Sequence, residues 1–359
     1  MTQEEARWSK ILCTVAESSS ADMSLFLCFS VGAVAVYLIV YYGVFRGSRC
    51  LSPTQLSGKT AIVTGGNTGI GKATALGLAR RGARVILACR NREKAEAAAF
   101  DIRRESGNNQ VLFIQLDLAS VESIHTFADT FLKSEPRLDI LINNAGVMGC
   151  GRTVDGFDLT LGVNHLGHFL LTNLLLDRLH QCSPSRVVTV SGLLHRFGTV
   201  DFSSLTARRD VVCSHSTWSM IQAYCNSKLF NVLFTRELSN RLDGSSVTCY
   251  CLHPGVIYTQ LCRSMSWWQL LLLWPIAKLL FLDPESGCQT TLHCALQEGL
   301  EPLSGRYFSN CHQQQVGAKG RDDALAKKLW EVSERLVGLN YCAPSAPKSG
   351  LMSSDPLRK

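Results

Sequence analysis

The sequence predicts an α/β fold, a Rossmann-type doubly wound parallel sheet in a single domain, with an N-terminal transmembrane helix. Short β-branched runs alternate with longer helical stretches from Lys59 onward, which is typical of a parallel sheet covered by helices on both faces. A glycine-rich turn at 64–71 follows the first of these runs. Ahead of the domain, residues 23–45 carry no charge, and this stretch is long enough to cross a bilayer core of about 30 Å.

The composition excludes several classes of protein. Of the 359 residues, 46% are hydrophobic and 18% are charged, so the chain is neither disordered nor fibrous. The net charge of +7 is scattered, with no basic run longer than two residues, so we expect no nucleic-acid partner. The fifteen cysteines are spread along the chain, several within apolar runs such as 247–252. We therefore expect reduced thiols in a domain that faces the cytosol, and no metal site.

The uncharged stretch at 23–45 is interpreted as a single-pass membrane anchor. Tyr41 and Tyr42 lie where an interfacial aromatic pair is expected. A cleaved signal peptide and a buried core helix remain alternatives, although the stretch is long for a signal and has no clear small-residue cleavage site. Basic residues follow the stretch and acidic residues predominate before it, which predicts that the large C-terminal part faces the cytosol.

The remaining elements follow in order along one domain. The expected organisation is an N-terminal segment at 1–22, the anchor at 23–45, a linker at 46–57, the Rossmann domain at 58–340 and a disordered tail at 341–359. Apolar, β-branched runs predict seven strands, at Ala61–Thr64, Arg84–Ala88, Val111–Gln115, Ile140–Asn143, Arg186–Ser191, Val247–Leu252 and Arg306–Phe308. Longer stretches between them predict helices, for example at Gly71–Arg80, Glu122–Leu132 and Ala223–Leu242.

The glycine-rich turn after the first strand predicts a dinucleotide site. Its glycines let the chain turn tightly and bring backbone N–H groups against a pyrophosphate at the N-terminus of the following helix. The second strand runs into Arg90, where an NAD site would place an acidic residue for the ribose 2′-hydroxyl. Because a guanidinium can bind a 2′-phosphate, Arg90 favours NADP(H) as the cofactor, although a solvated arginine is an alternative.

Tyr224 and Lys228 form a candidate acid–base pair. They lie four residues apart on a predicted helix, so both side chains point the same way. A phenol with its ordinary pKa of about 10 is a poor base near neutrality. A lysine cation one turn away is expected to stabilise the phenolate and to lower that pKa, so that Tyr224 can exchange a proton with an alcohol or a carbonyl compound.

Several motifs together resemble the short-chain dehydrogenases/reductases. These are the turn Thr64–Gly71, Asn-Asn-Ala-Gly at 143–146, Asn-His-Leu-Gly at 164–167, Tyr-Cys-Asn-Ser-Lys at 224–228 and His-Pro-Gly at 253–255. The resemblance covers Leu56 to about residue 340. Further stretches, such as Leu-Ala-Cys-Arg at 87–90, Leu-His-Cys-Ala at 292–295 and 303–312, are similar to the retinol dehydrogenase branch of the family.

This resemblance implies the roles of individual residues. Tyr224 would handle the proton, Lys228 would bind the nicotinamide ribose, and Asn164 would position a water that leads to Lys228. For Asn164, an ordinary helix asparagine that satisfies its own backbone is an alternative. The implied catalytic residues are Tyr224, Lys228, Asn164 and Ser191. The implied cofactor-binding residues are Gly65, Asn67, Thr68, Gly69, Ile70, Gly71, Arg90, Asp117, Leu118, Asn144, Ala145, Gly146, Tyr224, Lys228, Pro254, Val256 and Thr259.

One position departs from the family pattern. The family has a catalytic serine just after the fifth strand, usually the second residue of a Ser-Ser pair, and the residue aligned with it here is Gly192. Ser191 lies one place earlier, and a shift of one residue on a strand turns a side chain to the opposite face. The turn at the strand end leaves open whether Ser191 enters the site. Loss of one donor to a developing oxyanion costs about 10²–10³ in rate in acyl-transfer sites, and Ser191 or a water over Gly192 could restore part of that.

An apolar stretch at 265–282 suggests the class of substrate. It contains three tryptophans but is interrupted by Pro275 and Lys278, so we interpret it as a lid in the membrane interface rather than as a second span. Ordinary core packing is the alternative. A lid of this kind predicts a lipophilic substrate such as a retinoid, a sterol or a long-chain aldehyde, taken from the bilayer. The resemblance adds the endoplasmic reticulum as the expected location and a possible homodimer.

Two functions are consistent with the sequence. The first is a membrane-anchored NADP(H)-dependent oxidoreductase that interconverts a lipophilic alcohol and its carbonyl compound. The second is a cofactor-binding membrane protein, catalytically weakened by the loss of the serine, with a scaffolding or sensing role. Gly192 favours the second function, whereas Tyr224, Lys228 and Asn164 favour the first.

Overall fold

The computed structural model describes residues 30–32, 47–206, 217–255 and 283–339. Most of the predicted anchor at 23–45, the apolar stretch at 265–282 and the tail at 341–359 lie outside the described residues. The anchor and the domain boundaries inferred from the sequence therefore stay predictions.

Eight strands form one sheet at the centre of the domain. They are β1 (Thr60–Thr64), β2 (Arg84–Cys89), β3 (Val111–Gln115), β4 (Ile140–Asn143), β5 (Ser185–Val190), β6 (Val247–His253), β7 (Tyr307–Ser309) and β8 (His312–Gln314). Their spatial order is β3-β2-β1-β4-β5-β6-β7-β8. All neighbouring pairs from β3 to β7 are parallel, and β8 pairs antiparallel with β7.

Nine helices accompany the strands in the described part of the chain. They are α1 (Gly69–Ala79), α2 (Arg92–Ser106), α3 (Val121–Ser134), α4 (Leu159–Gln181), α5 (Phe202–Thr206), α6 (Thr217–Arg241), α7 (Pro284–Gly287), α8 (Gln289–Leu296) and α9 (Asp323–Val337). Single 3-10 turns lie at Leu193–Phe197, Glu301–Leu303 and Ala318–Arg321. Because helices join successive parallel strands and cover both faces, the sheet is doubly wound as predicted.

The two faces of the sheet bury separate apolar cores. Alternate residues of one strand face opposite ways, so Val63 joins the core beneath α1, α2 and α8, and Ile62 joins the core beneath α3, α4, α6 and α9. The second core contains an aromatic cluster in which the rings of Phe169 and Trp330 lie 4.8 Å apart. Burial of both faces explains why the strands appear as continuous apolar runs in the sequence.

The predicted strands match the structure with small shifts, and two features of the prediction were wrong. The last parallel strand is Tyr307–Ser309 rather than Arg306–Phe308. The sheet is not entirely parallel, because the sequence analysis missed β8 and its antiparallel pairing. All three residues of β8 are exposed and polar, so this edge strand has no apolar run that would predict it.

Helix α4 is long and apolar enough to cross a membrane, and it is the one such helix among the described residues. In its most apolar window 72% of the residues are buried inside the protein. Phe169, Leu170, Leu171 and Leu175 belong to the second core. The apolar character of α4 is therefore explained by its place between the sheet and its neighbouring helices, as in the core helix of a soluble domain.

Candidate active site

A cavity of about 1110 Å³ lies along the carboxyl ends of the parallel strands. It is lined by the residues that follow β1, β2, β3, β4, β5 and β6. The strand order reverses between β1 and β4, and ligands of doubly wound sheets bind at such a switch point. The cavity brings together the described residues that the sequence analysis had assigned to cofactor binding.

The turn between β1 and α1 forms one end of this cavity. Gly65 and Gly69 have positive φ angles of 65° and 54°, a backbone region that favours glycine. At Gly71 a β-carbon would overlap the carbonyl oxygen of Gly65, so this position requires glycine on steric grounds. The N-cap residue Thr68 makes no side-chain hydrogen bond to the first turn of α1. The first amides of α1 thus lack a side-chain cap, which leaves them suited to a phosphate.

A buried network joins this turn to the one after β4. The Thr64 hydroxyl accepts hydrogen bonds from the backbone N–H groups of Asn144 (2.9 Å) and Ala145 (3.0 Å). The Asn144 side chain in turn donates to the Thr64 carbonyl oxygen at 2.9 Å. His168 lies 2.9 Å from the Thr64 hydroxyl oxygen. These contacts hold Asn144, Ala145 and Gly146 against the glycine turn, so all three line the same cavity.

Basic and polar groups surround the cavity where β2 ends. Arg90, Asn91 and Lys94 line it together with Asn67. Asn91 caps α2 by accepting a hydrogen bond from the Lys94 amide at 2.8 Å, which places Lys94 one turn into the helix. The sequence analysis identified Arg90 but missed Lys94. The sequence does contain a pattern that predicts Lys94. An asparagine at position 91 is a typical helix N-cap, and the residue three positions after such a cap lies in the first helical turn, close to Arg90.

Asp117 and Leu118 line the cavity beyond β3. The Asp117 carboxylate accepts a hydrogen bond from the Ala119 amide at 3.0 Å, and the Asp117 amide donates one to the Ser123 hydroxyl oxygen at 2.9 Å. These bonds fix the turn that leads into α3. Asp117 is the one acidic residue among the described residues of the cavity wall, so basic groups predominate near β2.

Tyr224 and Lys228 lie on α6 and face the same cavity. The Lys228 ammonium is 5.3 Å from the centre of the Tyr224 ring and donates to the Val190 carbonyl oxygen at 3.1 Å. Burial lowers the pKa of Lys228 to about 8 and raises the pKa of Tyr224 above its usual range. The sequence analysis expected the lysine to lower the pKa of Tyr224. Desolvation of the two groups opposes that effect, because burial disfavours phenolate and ammonium alike.

Asn164 lies in a π-helical turn of α4, Gly162–Leu166, and is buried. Its amide nitrogen donates to the Val147 carbonyl oxygen (2.9 Å) and the Ser227 hydroxyl (3.0 Å), and its amide oxygen accepts from the Val147 amide (2.8 Å). The side chain thus ties the loop segment after Gly146 to the helix that carries Tyr224. Ser227, which the sequence analysis did not single out, completes this link.

Ser191 and Gly192 face different surroundings. The Ser191 hydroxyl is buried and donates to the Lys228 carbonyl oxygen at 2.7 Å, and among the described residues it makes no hydrogen bond to Tyr224. A β-carbon at Gly192 would instead lie 4.0 Å from the Tyr224 hydroxyl oxygen. The Ser191 hydroxyl is engaged by α6 although the residue lines the cavity, and the position at which a β-carbon would approach Tyr224 is that of Gly192. The catalytic role expected of Ser191 stays a prediction.

The remaining predicted residues divide between the cavity and the rest of the chain. Gly65, Asn67, Thr68, Gly69, Ile70, Gly71 and Pro254 line the cavity, whereas Val256 and Thr259 lie outside the described residues. The wall also contains residues that the sequence analysis missed: Cys89, Val147, Met148, Leu193, Leu194 and His253. His195 is buried, and its Nδ1 lies 2.7 Å from the Gly192 carbonyl oxygen.

The cavity fits a nicotinamide dinucleotide. The glycine turn and the uncapped amides of α1 suit the pyrophosphate, and Arg90 and Lys94 suit a phosphate on the ribose. Asn144, Ala145 and Gly146 lie between this end and Tyr224, so a single extended ligand would contact both. Within the described residues, no group of three metal-ligating side chains competes for this space.

Comparisons with known proteins agree with this geometry. A family model described as short chain dehydrogenase matches residues 59–207. The chain is 55% identical over 308 residues to dehydrogenase/reductase SDR family member 13 of Bos taurus, covering 85% of this chain and 80% of that protein. It is 50% identical over 299 residues to human retinol dehydrogenase 12, covering 83% and 92%. The structure of an uncharacterized protein from Mycobacterium paratuberculosis has a TM-score of 0.63 at 35% identity, covering 81% and 98%.

Proposed function

Because the chain belongs to the short-chain dehydrogenase/reductase family, we propose that it is a membrane-anchored, NADP(H)-dependent oxidoreductase. It interconverts a lipophilic alcohol and its aldehyde or ketone, with a retinoid-like substrate favoured. The observation that carries this proposal is the cavity in which Tyr224 and Lys228 face the glycine turn of a dinucleotide site. When bound, the nicotinamide supplies or accepts the hydride.

The chain's own residues have separate tasks in this reaction. The Tyr224 hydroxyl gives its proton to the carbonyl oxygen in reduction and receives it in oxidation. Lys228, whose ammonium lies beside the Tyr224 ring, stabilises the phenolate that forms. Asn164 fixes the segment that contains Gly146 relative to α6, because its amide donates to Val147 and to Ser227. Burial of Tyr224 keeps the phenol protonated before reaction, which favours reduction of a carbonyl compound over oxidation of an alcohol at neutral pH.

The cofactor preference follows from charge at the end of β2. Arg90 and Lys94 line the cavity there, and Asn91 caps the helix N-terminus beside them. Two cations and a helix N-terminus suit a 2′-phosphate, and the described wall offers no carboxylate at this place for a ribose 2′-hydroxyl. The family uses NAD(P)(H), and these residues support NADP(H).

Substrate class and location are proposed from the wall of the cavity and the relatives. Val147, Met148, Leu193 and Leu194 give the wall next to Tyr224 an apolar surface, which suits a lipophilic substrate. Human retinol dehydrogenase 12 is named for a retinoid. The uncharged stretch 23–45 would hold the protein in the membrane of the endoplasmic reticulum, with the described domain facing the cytosol and as a homodimer.

A second candidate function rests on one observation. Gly192 occupies the position that faces Tyr224 and provides no donor. A protein that binds NADP(H) but turns over slowly would act as a membrane scaffold or sensor. The paired Tyr224 and Lys228 in one cavity favour the enzyme.

The deciding experiment measures NADPH oxidation by the detergent-solubilised full-length protein with all-trans-retinal. Binding of NADPH is followed in the same sample by quenching of tryptophan fluorescence. We expect turnover that is lost in Tyr224→Phe while NADPH affinity changes little, because the phenol hydroxyl is needed for the proton and not for the dinucleotide. Tight binding of NADPH without turnover of retinal or of a panel of aldehydes would favour the second function.

A further inference from the structure

Nothing in the described structure requires glycine at position 192. Its φ and ψ are −174° and 164°, an extended conformation that any residue adopts. Among the described residues other than its chain neighbours, a β-carbon there would contact Lys228 Cγ at 3.8 Å and Tyr224 Oη at 4.0 Å, which are ordinary van der Waals distances. The absence of a side chain at Gly192 therefore leaves a gap beside the Tyr224 hydroxyl, rather than relieving strain or a clash.

Three side-chain donors of the site are engaged elsewhere. The Ser191 hydroxyl donates to the Lys228 carbonyl oxygen. His195 Nδ1 lies 2.7 Å from the Gly192 carbonyl oxygen, and because a carbonyl only accepts, Nδ1–H is the donor. The Asn164 amide donates to Val147 and Ser227. Of these three neighbouring side chains, none is left to offer a second hydrogen bond to a substrate oxygen that Tyr224 protonates.

A water molecule is a poor substitute in this gap. An ordered water needs two to four polar partners, and among the described residues other than 191–193 the one polar atom within 4 Å of the Gly192 β-carbon position is Tyr224 Oη. The adjoining wall is apolar, with Leu193 and Leu194 next along the chain. A hydroxyl that is covalently part of the substrate is ordered together with the substrate, so no additional entropy is lost as it would be for a bound water. Such a hydroxyl can occupy the gap and donate to the neighbouring oxygen.

This inference rests on the proposed function and narrows its substrate. We propose that the protein acts on lipophilic α-hydroxy carbonyl compounds, whose own hydroxyl fills the gap at Gly192 and donates to the oxygen that becomes an alkoxide. In the reducing direction the carbonyl carbon gains a hydride and forms a C–H bond. The C=O π bond breaks and the oxygen gains the proton of Tyr224. One reduced nicotinamide dinucleotide is oxidised, and the product is a vicinal diol.

The test compares 1-hydroxy-2-dodecanone with 2-dodecanone as substrates, with NADPH. An α-hydroxyl raises the intrinsic reactivity of a ketone, so the two substrates differ even without the enzyme. We therefore divide kcat/KM for 1-hydroxy-2-dodecanone by kcat/KM for 2-dodecanone in each protein. The informative quantity is this ratio in the wild type divided by the same ratio in Gly192→Ser. The serine restores a protein donor and fills the gap. Because loss of one oxyanion donor costs about 10²–10³ in rate, we expect this quotient to be at least about 10.

Gly192→Ala serves as the matched control, since it fills the gap without adding a donor. We expect it to lower kcat/KM for 1-hydroxy-2-dodecanone and to give no gain with 2-dodecanone. As a measurement on the wild type alone, 1,2-dodecanediol should inhibit retinal reduction at lower concentration than 2-dodecanol does. Equal ratios in the wild type and Gly192→Ser, or equal inhibition by the two alcohols, would overturn the inference and leave the proposed function standing. Absence of NADPH oxidation with retinal and with both ketones would refute the proposed function itself.

Discussion

His168 Nε2 lies 2.9 Å from Thr64 Oγ1 and joins α4 to the end of β1. On its other side, Nδ1 lies 3.2 Å from the Asn164 carbonyl oxygen. A carbonyl only accepts, so Nδ1 carries the proton and Nε2 accepts the hydroxyl hydrogen of Thr64. The Thr64 oxygen then receives the amides of Asn144 and Ala145. One neutral imidazole thus links the glycine turn, the turn after β4 and the π-helical turn of Asn164.

Replacement of Thr64 by valine is expected to destabilise the protein and weaken cofactor binding together. The two residues have nearly the same shape, but valine leaves two amides and His168 without their partner in a buried place. Unpaired buried groups cost about 1–3 kcal/mol. Urea unfolding should show this loss, and the NADPH dissociation constant should rise because Asn144 and Ala145 lose their anchor. An unchanged dissociation constant in a destabilised variant would show that the network supports the fold alone.

Tyr307→Phe, unlike Thr64→Val, should not lower the free energy of unfolding. The Tyr307 hydroxyl is buried and has no hydrogen-bond partner among the residues that the structure describes, and its ring packs 4.7 Å from that of His195. Removal of an unpaired buried hydroxyl leaves no orphan behind, so the free energy of unfolding should stay equal or rise by up to about 1 kcal/mol. Comparison of this variant with Thr64→Val in the same urea series separates paired from unpaired hydroxyls. A clear loss of stability in Tyr307→Phe would indicate a bound water at Oη.

Thr64 and Tyr307 show which contacts can be predicted from the sequence and which cannot. The Thr64–Gly71 motif predicted a tight turn, and the predicted β1 to β6 matched the structure because buried parallel strands leave continuous apolar runs. The partner of Thr64, by contrast, is His168, 104 residues away. No local pattern contains that contact, and the same holds for Tyr307 against His195.

The site residues were predictable to the extent that their motifs are local. Tyr224 and Lys228 share one helix, and their common face follows from a spacing of four. Which of Ser191 and Gly192 faces Tyr224 depends on how β5 ends and on the position of α6, and only the structure decides it. The pKa of Tyr224 was predicted in the wrong direction because burial is a property of the assembled fold.

Stability should fall as the pH drops below about 6.5, because two buried histidines stay neutral in the folded protein. Burial lowers the pKa of His165 to about 3 and that of His168 to about 4, whereas an unfolded histidine has a pKa of about 6.5. Between these values the unfolded chain binds protons that the folded protein does not. The free energy of unfolding is therefore highest above pH 6.5. Below that pH it falls by about 1.4 kcal/mol per pH unit for each of these histidines.

The measurement is the free energy of unfolding at pH 7.5 and pH 5.0, in the wild type and in His165→Phe. His165 already packs against three phenylalanine rings, so phenylalanine fits this ring cluster, although it removes the contact of His165 Nε2 with the Ser333 hydroxyl at both pH values. It should reduce the acid-induced loss by about 2 kcal/mol. His180→Gln is the control, because His180 is exposed in the folded protein and should leave the loss unchanged. Equal losses in His165→Phe and the wild type would contradict a neutral, buried His165.

The preference for NADPH over NADH should depend on Arg90 and Lys94. Each cation removed from a 2′-phosphate site should raise the NADPH dissociation constant about tenfold or more, since charge-assisted hydrogen bonds contribute about 1.5–3 kcal/mol. NADH, which has no such phosphate, should bind nearly as before. Arg92→Ala is the matched control, because Arg92 is exposed, pairs with Glu96 at 2.8 Å and does not line the cavity. Parallel weakening of both dinucleotides in Arg90→Ala would argue against a 2′-phosphate contact.

The rate of carbonyl reduction should fall above about pH 8 as Lys228 loses its charge. Burial lowers the pKa of Lys228 to about 8, so its ammonium is present at pH 7 and is lost as the pH rises through that value. Tyr224 stays protonated over this range, because burial raises its pKa. The loss of the cation removes the charge that stabilises the phenolate, so kcat/KM, which reports on the free enzyme, should decline.

Lys228→Arg keeps a charge at every accessible pH. When each NADPH-oxidation profile with retinal is scaled to its own maximum between about pH 6 and 10, the wild type should fall near 8 and Lys228→Arg should stay flat. The same decline in both proteins would assign the ionisation to a group other than Lys228.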